Sequence, residues 1–228
     1  MISIKLTSGR VMAASIALCL QFGCASSVPA PKEQTQPARS ALSGMLGRPL
    51  LIMPAQYIGV VTPAGQFELS MMNRDLLGIM DEELADAFRK RGVRSSWMFA
   101  KEITAAAMRN GGLVPDPREL SAESLRRIQP SDTPLQEPLG TQIRQLVALQ
   151  EGRYVLIPIE VDVDNRTGRA SVLKVLLVDS RTARVLWVDS IESMAPTDVP
   201  VGDLLSGYGF RRLSRALASR FADMVVAQ

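Results

Sequence analysis

The chain has 228 residues, with 26 basic and 23 acidic side chains, no histidine, and two cysteines, Cys19 and Cys24, both near the start. The lack of histidine excludes Ser-His-Asp and Cys-His mechanisms and the usual zinc sites. Two of the basic residues, Lys5 and Arg10, belong to an expected leader; without them 24 basic face 23 acidic side chains, and nothing in the charge calls for a nucleic-acid partner.

Lys5 and Arg10 precede an unbroken apolar block at 11–20 (VMAASIALCL), the pattern of a secretory signal. The block is far short of the ~20 residues that cross a bilayer, so residues 1–23 are expected to be removed. Cys24, after Gly23 and before Ala25, Ser26 and Ser27, resembles the acylated cysteine of the bacterial lipoprotein box, although Gln21 and Phe22 stand where that box carries Leu and a small residue. Cys19 follows the bulky Leu18 and matches it less well. Lipidation of Cys24 is the expectation, with ordinary cleavage near Ala25 or Ala30 as the alternative. Residues 25–40 (ASSVPAPKEQTQPARS) hold three prolines and no aromatic, too little apolar area to fold, and read as a tether from Cys24. One domain is expected over 41–228, held by packing alone.

Within it, 49–55 (PLLIMPA) reads as a strand buried on both faces, and 59–66 as a loop marked by Gly and Pro. Asn73 can cap a helix with Leu76, Leu77, Met80, Leu84 and Phe88 on one side, Arg89, Lys90 and Arg91 in its last turn and Gly92 as its stop. A half-buried strand is predicted over 93–99 and a helix over 101–109, closed by Asn110-Gly111-Gly112. The polar stretch from Pro115 to Pro138, with one short helix at 118–128, is the expected mobile or partner-facing insertion. Leu139, Ile143, Leu146, Val147 and Gln150 mark a helix that ends at Gly152. Three strands follow, 153–163 (RYVLIPIEVDV), 169–179 (RASVLKVLLVD) and 184–192 (RVLWVDSIE), joined by turns too short for anything but antiparallel hairpins. A final amphipathic helix spans about 203–226, with Leu213, Leu217, Phe221 and Met224 opposite Arg211, Arg212, Arg215 and Arg220. The expected fold class is therefore α/β (α+β): a mixed sheet with an N-terminal strand pair and a C-terminal three-stranded antiparallel meander, packed by four to five helices.

The strand PLLIMPA, the helix end FRKRGV, the stretch ALQEGRYVLIPIEV and the hairpin LLVDSRTARVLW together resemble the α/β domain of outer-membrane lipoproteins of the curli-secretion and penicillin-binding-protein-activator type, a domain also found at the N-terminus of the Tol-system propeller protein. Arg153 stands where that pattern has an acidic residue, and Ala183 where it has glycine. The resemblance covers about 140 residues. It implies a periplasmic binding or scaffolding domain and supplies no catalytic residue.

Among chemistry-bearing motifs, Ser171 and Lys174 match S-x-x-K, but an odd separation on a strand sends the two side chains to opposite faces. No G-x-S-x-G, G-x-x-x-x-G-K or G-x-G-x-x-G is present. The one carboxylate row is Glu160, Asp162 and Asp164, on one face of a strand at roughly 6–7 Å per step. It could hold a cation or act as a paired acid and base. The favoured reading has Ile159, Val161 and Val163 facing the core and the acids facing water, opposed by Lys174, Arg169 or Arg184. Asp162 to Gly168 does not match a calcium loop.

Arg211 and Arg215, one turn apart, could meet anionic headgroups or an acidic partner, or simply be solvated. Trp97 and Trp187 are expected in packing, with Trp187 also a candidate contact residue. Asn165-Arg166-Thr167 matches a glycosylation sequon, by accident if the chain is bacterial as the leader suggests. The resulting expectation is a non-enzymatic lipoprotein on the periplasmic face of the outer membrane, anchored through an acyl group on Cys24 and contacting an envelope protein through the 115–138 stretch and the exposed meander edge, with no cofactor and no metal. The competing readings are a carboxylate-dependent hydrolase using Glu160 and Asp162, and a soluble secreted binding protein.

Overall fold

A computed structural model describes residues 45, 48–62, 65–66, 73–92, 97–127, 130–164, 171–193 and 207–226, without the side chains of 60–62, 65–66, 73, 163–164 and 225–226. All of them belong to the compact unit Thr35–Gln228. The expected leader, Cys24 and the tether lie outside the described residues, as do 93–96, residues 165–170 with Asn165 and Arg169, and 203–206.

Among the described residues the strands are β1 (Leu50–Ile52), β2 (Tyr57–Thr62), β3 (Gly65–Gln66), β4 (Tyr154–Asp164), β5 (Ser171–Asp179) and β6 (Arg184–Ser193). The helices are α1 (Asn73–Lys90), α2 (Ala100–Arg109), α3 (Leu139–Ala148) and α4 (Gly209–Val226), with a 3-10 turn at Glu123–Arg126. The sheet runs β3-β2-β4-β5-β6, and β1 also pairs with β4. β4, β5 and β6 form the expected antiparallel meander.

β1 and β2 lie end to end along β4, both parallel to it: Leu50 faces Tyr154, and Tyr57 faces Glu160. Between them Pro54, which has no N–H to give a ladder, Ala55 and Gln56 interrupt the line. β4 is irregular at the same level, its register against β5 shifting between Pro158 and Glu160. The segment 59–66, expected as a loop, is instead a hairpin in which Val61 pairs with Gln66 and Thr62 with Gly65. Its β-branched residues extend the chain; Gly59 and Pro63 gave it the look of a loop. Of the strand expected over 93–99, the described part contributes one parallel bridge, in which Met98 N–H donates to Leu50 O (3.0 Å) and Met98 O accepts from Ile52 N–H (2.8 Å).

The sheet is buried on both faces, which explains its unbroken apolar runs. Leu50, Ile52, Leu156, Val161, Val175 and Leu177 pack beneath α1 and α4; Leu51, Met53, Val155, Ile157, Leu176 and Val178 pack beneath α2, α3 and the 3-10 turn. α1 buries Leu76, Leu77, Met80, Leu84 and Phe88 as their spacing predicts, and Gly92 takes a positive φ of 76° behind it. On the same side, the Phe221 ring meets those of Phe88, Trp97 and Trp187 at 5.9, 5.8 and 6.2 Å between centroids.

The 115–138 stretch corrects the expectation of a mobile insertion. Leu120, Ala122, Leu125 and Leu135 are buried in the second core. Leu135 N–H donates to Ala183 O (2.8 Å) and Val185 N–H to Thr133 O (2.9 Å), so residues 133–135 close the meander edge at the start of β6. Enough apolar side chains sit among the prolines to tie the stretch down.

Helix α3 stops at Ala148, short of Gly152. Glu151 takes the left-handed conformation (φ 48°), while Gly152 lies where a methyl would overlap Cδ1 of buried Leu51. In the β5–β6 turn, Ala183 is held at φ 51°. A side chain pays about 1–2 kcal/mol in that region, and glycine returns part of this as unfolded-state entropy. Ala183→Gly is therefore expected to stabilise the fold by about 0.5–1 kcal/mol, read as a higher urea midpoint at unchanged slope. A lower midpoint would show that the turn is not strained.

Candidate functional site

The irregularity at Ile159 decides where the acid row points. With one residue extra in β4, Ile159 joins the core under α2 and α3 while Val161 joins the core under α1 and α4, so the two do not share a face as expected. Glu160 and Asp162 consequently project on the α2–α3 side. Glu160 is only 3% exposed instead of facing water. Lys174, its direct partner across the ladder, donates to Glu160 Oε2 at 3.1 Å. Arg126, at the end of the 3-10 turn, donates through Nε to Oε1 at 2.9 Å and also through Nη2. The Arg126 guanidinium in turn lies 5.3 Å from the Tyr57 ring centre.

Burial is the largest influence on Glu160 and pushes its carboxyl up, but the hydrogen bonds from Arg126 and Lys174 outweigh it and hold the group below the usual range. Asp162 goes the other way: burial, then the Glu160 charge, push it up, with Lys174 Nζ 3.6 Å from Oδ2. Asp162 has room because Gly59 faces it; a Cβ at Gly59 would lie 2.6 Å from Asp162 Oδ1. The Asp164 side chain is outside the described residues. This arrangement holds a negative charge in place. A general acid needs a proton near neutral pH, and Glu160 is held ionised with two cations on its oxygens. Among the described residues no cluster of histidine, cysteine or acidic side chains could hold a metal ion.

A second polar centre, which the sequence reading did not anticipate, lies at the β1–β2 break. Asp81, on the buried side of α1, accepts the Ala55 N–H at 2.8 Å and pairs with Arg118 at 2.9 Å. Buried Gln56 donates to Pro54 O (2.7 Å) and Pro117 O (3.0 Å) and accepts the Leu120 N–H (3.2 Å). Together these groups fasten the 115–120 segment to the broken strand. Asp81 follows Leu77 by four residues, so a carboxylate in the apolar stripe was the available signal. Between α1 and α2 it borders an open groove of about 570 Å³, also lined by Thr104, Met108 and Arg118.

Burial raises the Asp81 carboxyl to about 6, against the pull of the Ala55 N–H and Arg118. The unfolded value is about 3.9, so between pH 4 and 6 the native state binds more protons and this group's contribution to stability falls as pH rises, by up to about 3 kcal/mol. Asp81→Asn is expected to remove that slope. Urea midpoints of both proteins at pH 4.5 and 7.5 test it, and an unchanged difference between the two pH values would refute the assignment.

On α4, Arg211 is engaged by Glu83, with Nη2 2.9 Å from Oε1. Arg215 is exposed and has no ion-pair partner among the described residues. The structure does not bring either to the acid row. Trp187 is buried against Phe221, so its indole belongs to the core and is not presented to a partner.

No protein-family model matches the chain, and a search of curated proteins finds no match. Solved structures with a similar chain path include the C-terminal domain of LpoB from Salmonella enterica (13% identity, 69% of this chain and 96% of that one, TM-score 0.36). The PelC dodecamer from Paraburkholderia phytofirmans (12%, 75% and 85%, 0.35) and the lipoprotein GNA1162 from Neisseria meningitidis (16%, 77% and 97%, 0.33) are also similar. LpoB is a lipoprotein of the type that the sequence motifs resemble.

Proposed function

We propose that the chain is a bacterial envelope lipoprotein whose α/β domain binds another envelope protein without catalysis, held on the periplasmic side of the outer membrane by an acylated Cys24 and the tether after it. The observation that carries this reading is the sealing of Glu160 under Arg126 and Lys174. It leaves the competing hydrolase without a free acid and base pair. The leader, Cys24 and the proline-bearing 25–40 segment support export and anchoring.

The contact face we assign is the end of α2. Met108, in the last turn of α2, and Leu113, just past the helix, stand 75% and 76% exposed; Met108 lines the α1–α2 groove, and exposed apolar side chains next to a groove are the material of interface cores. Ion pairs line the groove, among them Asp81 with Arg118 and Glu102 with Arg89, which suits a partner segment with an apolar anchor and polar flanks.

Mass spectrometry of the mature N-terminus should find diacylglycerol on Cys24 in the membrane fraction; an unmodified N-terminus beyond Ala25 in the soluble fraction refutes the anchor. Cross-linking in the envelope should capture a protein that Met108→Ser/Leu113→Ser no longer captures and that an Arg144→Gln control retains. Both exposed substitutions should change stability by less than about 0.5 kcal/mol. Equal capture by the double variant would rule out this face.

A further inference from the structure

Helix α4 begins against an elementary electrostatic preference. The start of a helix carries partial positive charge and favours carboxylates. α4 has no acidic residue in its first turn; it places Arg211 and Arg212 there, and Arg215 three residues on. All three are exposed. Their surroundings divide them. Glu83 neutralises Arg211. Arg212 lies 5.9 Å over the ring of Tyr208 and reaches its hydroxyl at 3.4 Å, which orients the guanidinium without cancelling its charge. Arg215 has no ion-pair partner among the described residues. The three arginines and Tyr208 line a concavity of about 350 Å³.

We propose that this concavity binds the phosphate of an anionic phospholipid headgroup, with Arg212 and Arg215 as the charge partners and Tyr208 beside them at the bilayer interface. Among the described residues Arg212 and Arg215 have no carboxylate partner at a helix start that favours one, and the ligand that answers such charges is an oxyanion. Guanidinium forks match phosphate oxygens in pairs, and the positive end of α4 adds to their field. Tyr208 favours the lipid over free phosphate. It is 45% exposed, and a ring with an apolar body and a polar tip suits the membrane–water boundary. The proposal goes beyond protein binding and uses neither Cys24 nor the α2 face.

The test is co-sedimentation of the full-length chain carrying Cys24→Ser, so that no acyl group contributes, with vesicles of phosphatidylcholine containing one third phosphatidylglycerol. Binding should need phosphatidylglycerol, fall with salt, and weaken about thirtyfold in Arg212→Gln/Arg215→Gln, at roughly fivefold for each arginine near an anionic surface. Glu83→Gln, which frees Arg211, should tighten it about fivefold, and this gain keeps the proposal testable if the double variant misfolds. Equal binding by parent and double variant, equal binding to pure phosphatidylcholine, or no gain from Glu83→Gln would overturn the proposal. Calorimetric binding of inorganic phosphate without vesicle binding would assign a soluble anion and overturn the lipid assignment.

Discussion

Removing both cations from Glu160, in an Arg126→Ala/Lys174→Met variant, is expected to lower stability by about 3–5 kcal/mol, the cost of leaving a buried charge without partners. Glu160 is 3% exposed beneath these two side chains, and its oxygens take their hydrogen bonds from them. Lys174→Met alone should cost less, because Arg126 keeps its two hydrogen bonds to Oε1. The pH dependence has a definite sign. In the parent, the depressed Glu160 carboxyl contributes stability above its unfolded value of about 4.3, and that contribution is lost as pH falls through the folded value. In the double variant burial acts unopposed and raises the carboxyl, so the penalty is present above the raised value and relieved below it. Urea unfolding should therefore show a smaller deficit at pH 5 than at pH 8. Adding Glu160→Leu should restore much of the loss, since an apolar replacement of the whole group needs no partner. A deficit below 1 kcal/mol, or one equal at both pH values, would mean that water reaches the carboxylate.

Phe221→Ala is the second large effect, with an expected loss of about 3–5 kcal/mol. The ring is 1% exposed and stands between α1, Trp97 and Trp187. Its neighbours come from three different segments, so the cavity cannot close by moving one side chain. For a domain of this size the loss corresponds to a melting temperature lower by roughly 10 °C. Both tryptophans of the chain touch this ring, so near-ultraviolet circular dichroism and tryptophan emission should change with it. A loss under about 1.5 kcal/mol would mean that the aromatic cluster repacks.

Helix α1 and the β4–β6 meander were legible because their signals are local. A stripe from Leu76 to Phe88, basic residues in the last turn and Gly92 define α1, and two short turns force the hairpins. What misled was continuity. Reading residues 157–163 as one uninterrupted alternation assigns Ile159 and Val161 to a single face, and only the partner strand reveals that β4 carries an extra residue there. The same assumption turned the acids towards water. The β2 strand was obscured by Gly59, a residue that weakens a strand in isolation and here makes space for Asp162, a contact about a hundred residues away. The 115–138 stretch was misjudged on its prolines; Leu120, Leu125 and Leu135 have no periodicity and reveal their burial only through the sheet they meet. The basic side of α4 was legible as a row of arginines, but their division by Glu83 and Tyr208 was not.

The end-to-end arrangement of β1 and β2 along β4 bears on the order in which the chain organises itself. Leu50 pairs with Tyr154, about a hundred residues downstream, and contacts of such separation carry a large loop-closure cost. During synthesis the first strand emerges early, and its ladder to β4 waits until residue 154 and beyond follow. The hairpins of β4, β5 and β6 close over a few residues each and offer a template on which β1 and β2 can dock. A fragment ending before residue 154 has the apolar strand PLLIMPA and nothing to cover the edge that β4 takes, and is therefore prone to aggregate.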